Sequence, residues 1–167
     1  MRQLTGRAWK FGDGISTDHI TPGRFFHLRS NLPELAKHCL EDERPEFIRQ
    51  LERGDFIVAG RNFGQGSSRE HAPSIIKLSG VGAVIAKSFA RIFFRNCANV
   101  GLLAVICPTD GIDDGDRLII NPVAGKLEDV TKGLELRFES LPEVMRRILD
   151  AGGLVPYVMA HGGLELS

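Results

Sequence analysis

The 167 residues contain no apolar run long enough to cross a membrane, and the N-terminus lacks the charged-then-apolar pattern of a signal peptide. A cytoplasmic chain is the expectation. No charge of either sign prevails: 21 Lys plus Arg stand against 21 Asp plus Glu, so the balance points to neither nucleic acid nor an anionic membrane as partner. Cysteine is sparse. Cys39, Cys97 and Cys107 are odd in number and widely spaced, with no Cys-x-x-Cys pair, which argues against a disulfide framework. Each lies in an apolar stretch and reads as a small core residue rather than a ligand. Internal repeats, linkers and low-complexity segments are missing too. So are the phosphate-loop pattern Gly-x-x-x-x-Gly-Lys-Ser/Thr and the Gly-x-Ser-x-Gly elbow. A dinucleotide fingerprint fails as well, because Gly64-x-Gly66 is followed by Arg69 where glycine or alanine is wanted. At this length residues 1–167 form one domain with room for a real core.

What is present is a polar segment between two apolar ones. Asp55 to Gly60 is β-branched and aromatic and reads as a buried strand. Gly60 to Ala72 then gathers Gly64, Gly66, Ser67, Ser68, Arg69 and His71. Beyond it Ala72, Ile75, Ile76 and Leu78 fall near helical spacing, so a helix is predicted from Ser67 or Ser68 to Gly80. The serines would then sit at a helix N-terminus, where unpaired N–H groups and the helix dipole favour a carboxylate or a phosphate. Gly64 and Gly66 let the backbone approach such a ligand. Ser67-x-x-Glu70 alone is equally a capping box, but Arg69 and His71 beside two hydroxyls are more than a cap requires.

The remaining pattern is strand and helix in alternation. Strands are predicted at Leu4 to Phe11, Ala83 to Ala86 and Leu102 to Cys107. A Gly/Thr/Pro-rich loop covers Gly12 to Gly23, and helices cover Pro33 to Leu40, Pro45 to Leu51 and Phe89 to Asn99. That alternation implies a partly parallel sheet. Then come short strands at Asp116 to Asn121, Lys126 to Val130 and Leu134 to Phe138, which read as antiparallel, and an amphipathic helix from Leu141 to Leu149 ended by Gly152 and Gly153. The fold class is α/β, a mixed sheet with flanking helices.

The segment Asn62-Phe-Gly-Gln-Gly-Ser-Ser-Arg-Glu-His-Ala-Pro73, with Ala86-Lys-Ser-Phe-Ala-Arg-Ile-Phe93, Asn96 and Gly101-Leu-Leu103, closely resembles the small subunit of 3-isopropylmalate dehydratase. That subunit is itself similar to the C-terminal swivel domain of aconitase. The resemblance extends through Ser16-Thr-Asp-His-Ile-Thr-Pro22, Leu35-Ala-Lys-His-Cys-Leu-Glu-Asp42 and Ile148-Leu-Asp-Ala-Gly-Gly-Leu154, nearly the whole chain. It implies a single swivelling β/β/α domain and a hydro-lyase acting in leucine biosynthesis. It also implies a partner, a separate large subunit carrying the 4Fe–4S cluster, so that this chain alone binds no iron.

The same resemblance distributes roles. Ser67 is implied as the base, an alkoxide. Ser68 and Arg69, next to Gly66, are implied to hold a substrate carboxylate, a task that suits the planar guanidinium fork. A serine alkoxide is far too basic to exist without nearby cations or N–H donors. Asp18 and His19 approach the site by resemblance, although Thr-Asp-His before Pro22 is also ordinary turn chemistry. His71 either faces the site or bonds within the core. Arg29 stands in Phe25-Phe-His-Leu-Arg-Ser-Asn31, where isopropylmalate enzymes often carry an uncharged residue and homoaconitases an arginine. Gln65 replaces the cysteine of many relatives. Substrate is therefore open between 3-isopropylmalate, homoaconitate and another substituted malate such as 2,3-dimethylmalate, and a non-catalytic anion-binding module is the reading from another class.

Overall fold

Continuous apolar runs become strands buried on both faces. Every position of β2 (Phe56–Ala59) and β3 (Ala83–Ala86) is buried, as expected where a parallel sheet is covered on both sides. In the computed structural model, which describes residues 1–68 and 71–163, these strands lie between β1 (Leu4–Lys10) and β4 (Leu103–Ile106), all four parallel. On the other side of β1 the chain continues as an antiparallel meander of β5 (Arg117–Asn121), β6 (Lys126–Asp129) and β7 (Leu134–Arg137). The order across the seven strands is β4-β3-β2-β1-β5-β6-β7.

Side-chain alternation divides the core between two faces. Trp9, Ile57, Val84 and Ala104 point to the helical face, where they meet Phe47, Phe63, Ile75, Ile76, Phe93 and Cys97. That face carries α1 (Thr17–Ile20), a 3-10 turn at Gly23–Leu28, α2 (Leu32–Ala36), α3 (Phe47–Gln50), α4 (His71–Leu78) and α5 (Arg91–Val100). Ala8, Phe56, Val58, Ile85 and Val105 point the other way and pack with Leu118, Ile120, Leu127 and Leu149. The antiparallel half and α6 (Glu143–Asp150) thus close over the second face. Each fully buried phenylalanine such as Phe47, Phe56 or Phe63 contributes about 2 to 3 kcal/mol of transfer free energy.

The predicted strands are all present: β3 has the expected bounds, and the others are one or two residues shorter. Helices differ more. The Pro33-to-Leu40 helix is helical only to Ala36, and its continuation turns back at Leu40, whose φ is +56°. The Gly12-to-Gly23 loop contains α1, because Ser16 caps it: the His19 N–H donates to Ser16 Oγ at 3.2 Å. A terminal helix, α7 (Leu154–His161), has no counterpart in the sequence expectation. Its apolar residues do not fall on one face, so there was no amphipathic period to find. Among the described residues no helix is long and apolar enough to cross a membrane.

Candidate active-site cleft

Parallel strands deliver their following loops to one end of the sheet. The loops after β1, β2 and β3 are stitched together there by backbone hydrogen bonds: Gly64 N–H donates to Ile15 O at 2.7 Å, Thr17 N–H to Gln65 O at 2.8 Å and Ala90 N–H to Phe63 O at 2.9 Å. Side chains reinforce the seams. Ser88 Oγ accepts from Asn62 N–H at 2.9 Å, and Gln65 Nε2 donates to Gly14 O at 3.2 Å. Gly64 has φ +84°, and a Cβ there would overlap the Phe93 ring. Gly66 has φ +105° and would bring a Cβ within 3.1 Å of Thr17 Oγ1. Both glycines are therefore required by conformation and by close approach.

Between these loops and α5 lies a cleft of about 300 Å³ lined by Thr17, Gly64, Gly66, Ser67, Ser68, Ala90, Arg91, Ile92, Phe93 and Asn96. Ser67 Oγ and Thr17 Oγ1 are 3.4 Å apart. Among the described residues, the helix end that lines the cleft is that of α5. Ala90 gives α5 no side-chain cap, and its first turn carries no acidic residue. Its unpaired N–H groups and dipole make that end of the cleft positive. Ser67 and Ser68 are in non-helical, exposed chain, and the described part of α4 begins at His71. Arg69 and Glu70 lie outside the described residues.

Asp18, His19, Arg29 and His71 are not among the residues that line the cleft. His19 Nδ1 accepts from Ser16 N–H at 2.9 Å, which leaves the ring proton on Nε2, 3.4 Å from Glu43 Oε1. The ring thus closes a capping box. Asp18 is exposed on the same short helix. Arg29 is exposed beyond the 3-10 turn, where its guanidinium lies 4.4 Å over the Phe26 ring and donates to Phe26 O at 3.2 Å. Phe26 in turn meets the His71 ring edge-on at 6.4 Å. Neither Arg29 nor His71 lines the cleft. Thr17, Arg91 and Asn96 do, and the sequence reading gave them no role. A signal for Arg91 existed: a cation at the first position of a helix faces the positive end of the dipole and needs a reason.

The three cysteines do not fit an iron–sulfur cluster. Cys39 and Cys97 belong to the core under the helices, Cys107 to the core on the opposite face of the sheet. Burial pushes the Cys39 and Cys97 thiols far up and the Cys107 thiol to about 11, against the thiolates that a cluster needs. Among the described residues no group of three or more His, Cys, Asp or Glu could hold a metal ion.

Comparison with known proteins gives concordant matches. Residues 32–110 match the family described as the aconitase C-terminal domain. The chain is 60% identical over 164 residues to 3-isopropylmalate dehydratase small subunit 2 of Archaeoglobus fulgidus, covering 98% of this chain and 99% of that one. It is 54% identical over 160 residues to small subunit 1 of Thermotoga maritima, covering 95% and 96%. A crystal structure of 3-isopropylmalate dehydratase from Methanocaldococcus jannaschii is similar with a TM-score of 0.91 at 45% identity, covering 96% of each chain.

Proposed function

The chain belongs to the family of 3-isopropylmalate dehydratase small subunits, and from that premise we propose that it is the base-bearing half of a hydro-lyase that interconverts 2-isopropylmalate and 3-isopropylmalate. The reaction removes a proton from the carbon next to the hydroxyl-bearing one. The C–H electron pair becomes the double bond, and the C–O pair leaves with hydroxide. Water then returns in the opposite sense.

The observation that carries this reading is the position of Ser67 in the cleft, 3.4 Å from Thr17 Oγ1 and across from the uncapped first turn of α5. In the proposal Ser67 takes the proton, while Ser68 and Arg69 hold a carboxylate. Ser67 is exposed in the isolated chain, and an exposed serine stays protonated because water stabilises an alkoxide too little at neutral pH. The base therefore needs cations and N–H donors aimed at it in the assembled enzyme, because removing water alone would disfavour the alkoxide further. The partner, the large subunit, would carry the iron–sulfur cluster, whose Lewis-acid chemistry would assist the departure of hydroxide.

Arg29 bears on the substrate. An exposed guanidinium held over Phe26 suits an additional carboxylate, which supports a homoaconitase-type alternative. The deciding experiment measures hydration of the unsaturated acids derived from isopropylmalate, homocitrate, citrate and 2,3-dimethylmalate. It uses this chain reconstituted anaerobically with its large subunit, alongside Ser67→Ala and Arg29→Val. Isopropylmaleate is expected to turn over best, Arg29→Val to change little, and Ser67→Ala to lower kcat by about three orders of magnitude. Preference for tricarboxylates, abolished by Arg29→Val, would establish the homoaconitase reading. Inactivity of the wild-type complex on every acid would leave a non-catalytic anion-binding module.

A further inference from the structure

We propose that Arg91 is a second carboxylate-binding residue of the cleft, holding the carboxylate of a small dicarboxylic acid that Ser68 and Arg69 do not; this rests on the hydro-lyase reading for the identity of the acid. Arg91 lines the cleft with Thr17, Ser67, Ser68 and Asn96. It is the first residue of α5, ten residues long. A cation there is repelled by the helix dipole, and no acidic residue in the first turn offsets it. The contrast within this chain is informative. Arg147, with its charge in the last turn of α6, is paired to Glu143 at 2.6 Å, and Arg24 sits between Glu41 and Asp42. Arg91 has no hydrogen bond or ion pair among the described residues. A guanidinium, an uncapped helix end and two serine hydroxyls around a cleft of about 300 Å³ form a surface whose complement is a small anion with two charged ends.

This placement separates two jobs. Arg91 is an exposed residue that lines the cleft, the proposed seat of the two carboxylates common to all substituted malates. Arg29 is outside the lining, stacked on Phe26, and so is assigned to the variable substituent rather than to the shared carboxylates. Loss of Arg91 should therefore weaken every substrate alike, whereas loss of Arg29 should alter preference among them.

The test begins with this chain alone, titrated with malonate and with acetate while backbone amide resonances are followed in the wild type, Arg91→Gln and Arg91→Lys. Malonate is expected to shift Gly64 to Ser68 and the first turn of α5 more strongly than acetate, with affinity about tenfold lower in Arg91→Gln and partly restored in Arg91→Lys. In the reconstituted complex Arg91→Gln should raise KM about tenfold or more for every acid turned over, at unchanged preference, with a smaller effect on kcat. Absence of malonate-dependent shifts in the wild type, equal affinity in Arg91→Gln, or a change of substrate preference without a rise in KM would overturn the assignment. A wild-type complex inactive on all acids, with Arg91-dependent malonate binding intact, would sink the hydro-lyase reading and leave the carboxylate site standing.

Discussion

At the scale of single residues, two buried positions carry more of the structure than their size suggests. Asp55 accepts from Trp9 Nε1 at 3.0 Å, Glu52 N–H at 3.0 Å and Arg7 N–H at 3.1 Å, with the Arg7 guanidinium at 3.4 Å. Burial pushes the Asp55 carboxyl up, but these donors outweigh it and hold it below the usual carboxylate range. Asp55→Ala should cost about 3 kcal/mol in urea unfolding, because a buried indole N–H and two backbone N–H groups lose their acceptor. Since the folded pKa lies below the unfolded value of about 3.9, the ionised carboxylate stabilises fully above that pH and its contribution is lost as pH falls through the folded value. Asp55→Asn should therefore flatten the acid side of the stability profile. At Gly64 the cause is steric. Gly64→Ala would force a side chain into the Phe93 ring at φ +84° and should lower stability by about 2 to 3 kcal/mol, with loss of malonate-dependent shifts at Ser67 and Ser68.

At the scale of elements, the β5–β6 hairpin contains a buried acid pair that the sequence showed only as scattered aspartates. Asp129 is fully buried and its Oδ2 has no hydrogen-bond partner. Burial and the neighbouring Asp116 carboxylate push its pKa up, whereas hydrogen bonding and Lys132 hold Asp116 down despite burial. Asp129 thus keeps its proton longest. Ionising it costs stability as pH rises from the unfolded value of about 3.9 through the raised folded one, a slope opposite in sign to that of Asp55. Asp129→Asn, which is neutral at every pH, should raise stability at neutral pH by about 1 kcal/mol, measured by thermal unfolding at several pH values. If stability falls by that amount at neutral pH, the fold stabilises the Asp129 carboxylate rather than penalising it, and the raised pKa is overturned. Elsewhere Lys77 ties α4 to the α5 end and the α6–α7 corner by donating to Val100 O at 2.7 Å and Gly152 O at 3.0 Å.

For the whole molecule, the described lining of the cleft holds hydroxyls and the Arg91 guanidinium, while the metal-ligating half of the proposed chemistry is not found among the described residues. The expected outcome is that this chain alone hydrates none of the candidate acids. Activity should appear on mixing with the cluster-loaded large subunit and disappear on iron chelation, with the thermal midpoint of this chain by itself unchanged by the chelator. A chelator-sensitive midpoint would place a metal in this chain and overturn the division of labour.

The strands β1 to β4, the mixed sheet and the Gly64-to-Ser68 segment were legible in the sequence, because buried parallel strands are continuous apolar runs and tight loops demand glycine. Those signals are local. The extent of α1 and α2 was not legible, since Ser16 capping and the turn at Leu40 override propensity over a few residues. The composition of the cleft was a tertiary decision: Thr17, Ser67 and Arg91 lie 24 or more positions apart in the chain and meet only because parallel strands bring their loops to one end of the sheet. That the first turn of α5 lines the cleft was decided there too, by the backbone bonds between the loops after β2 and β3.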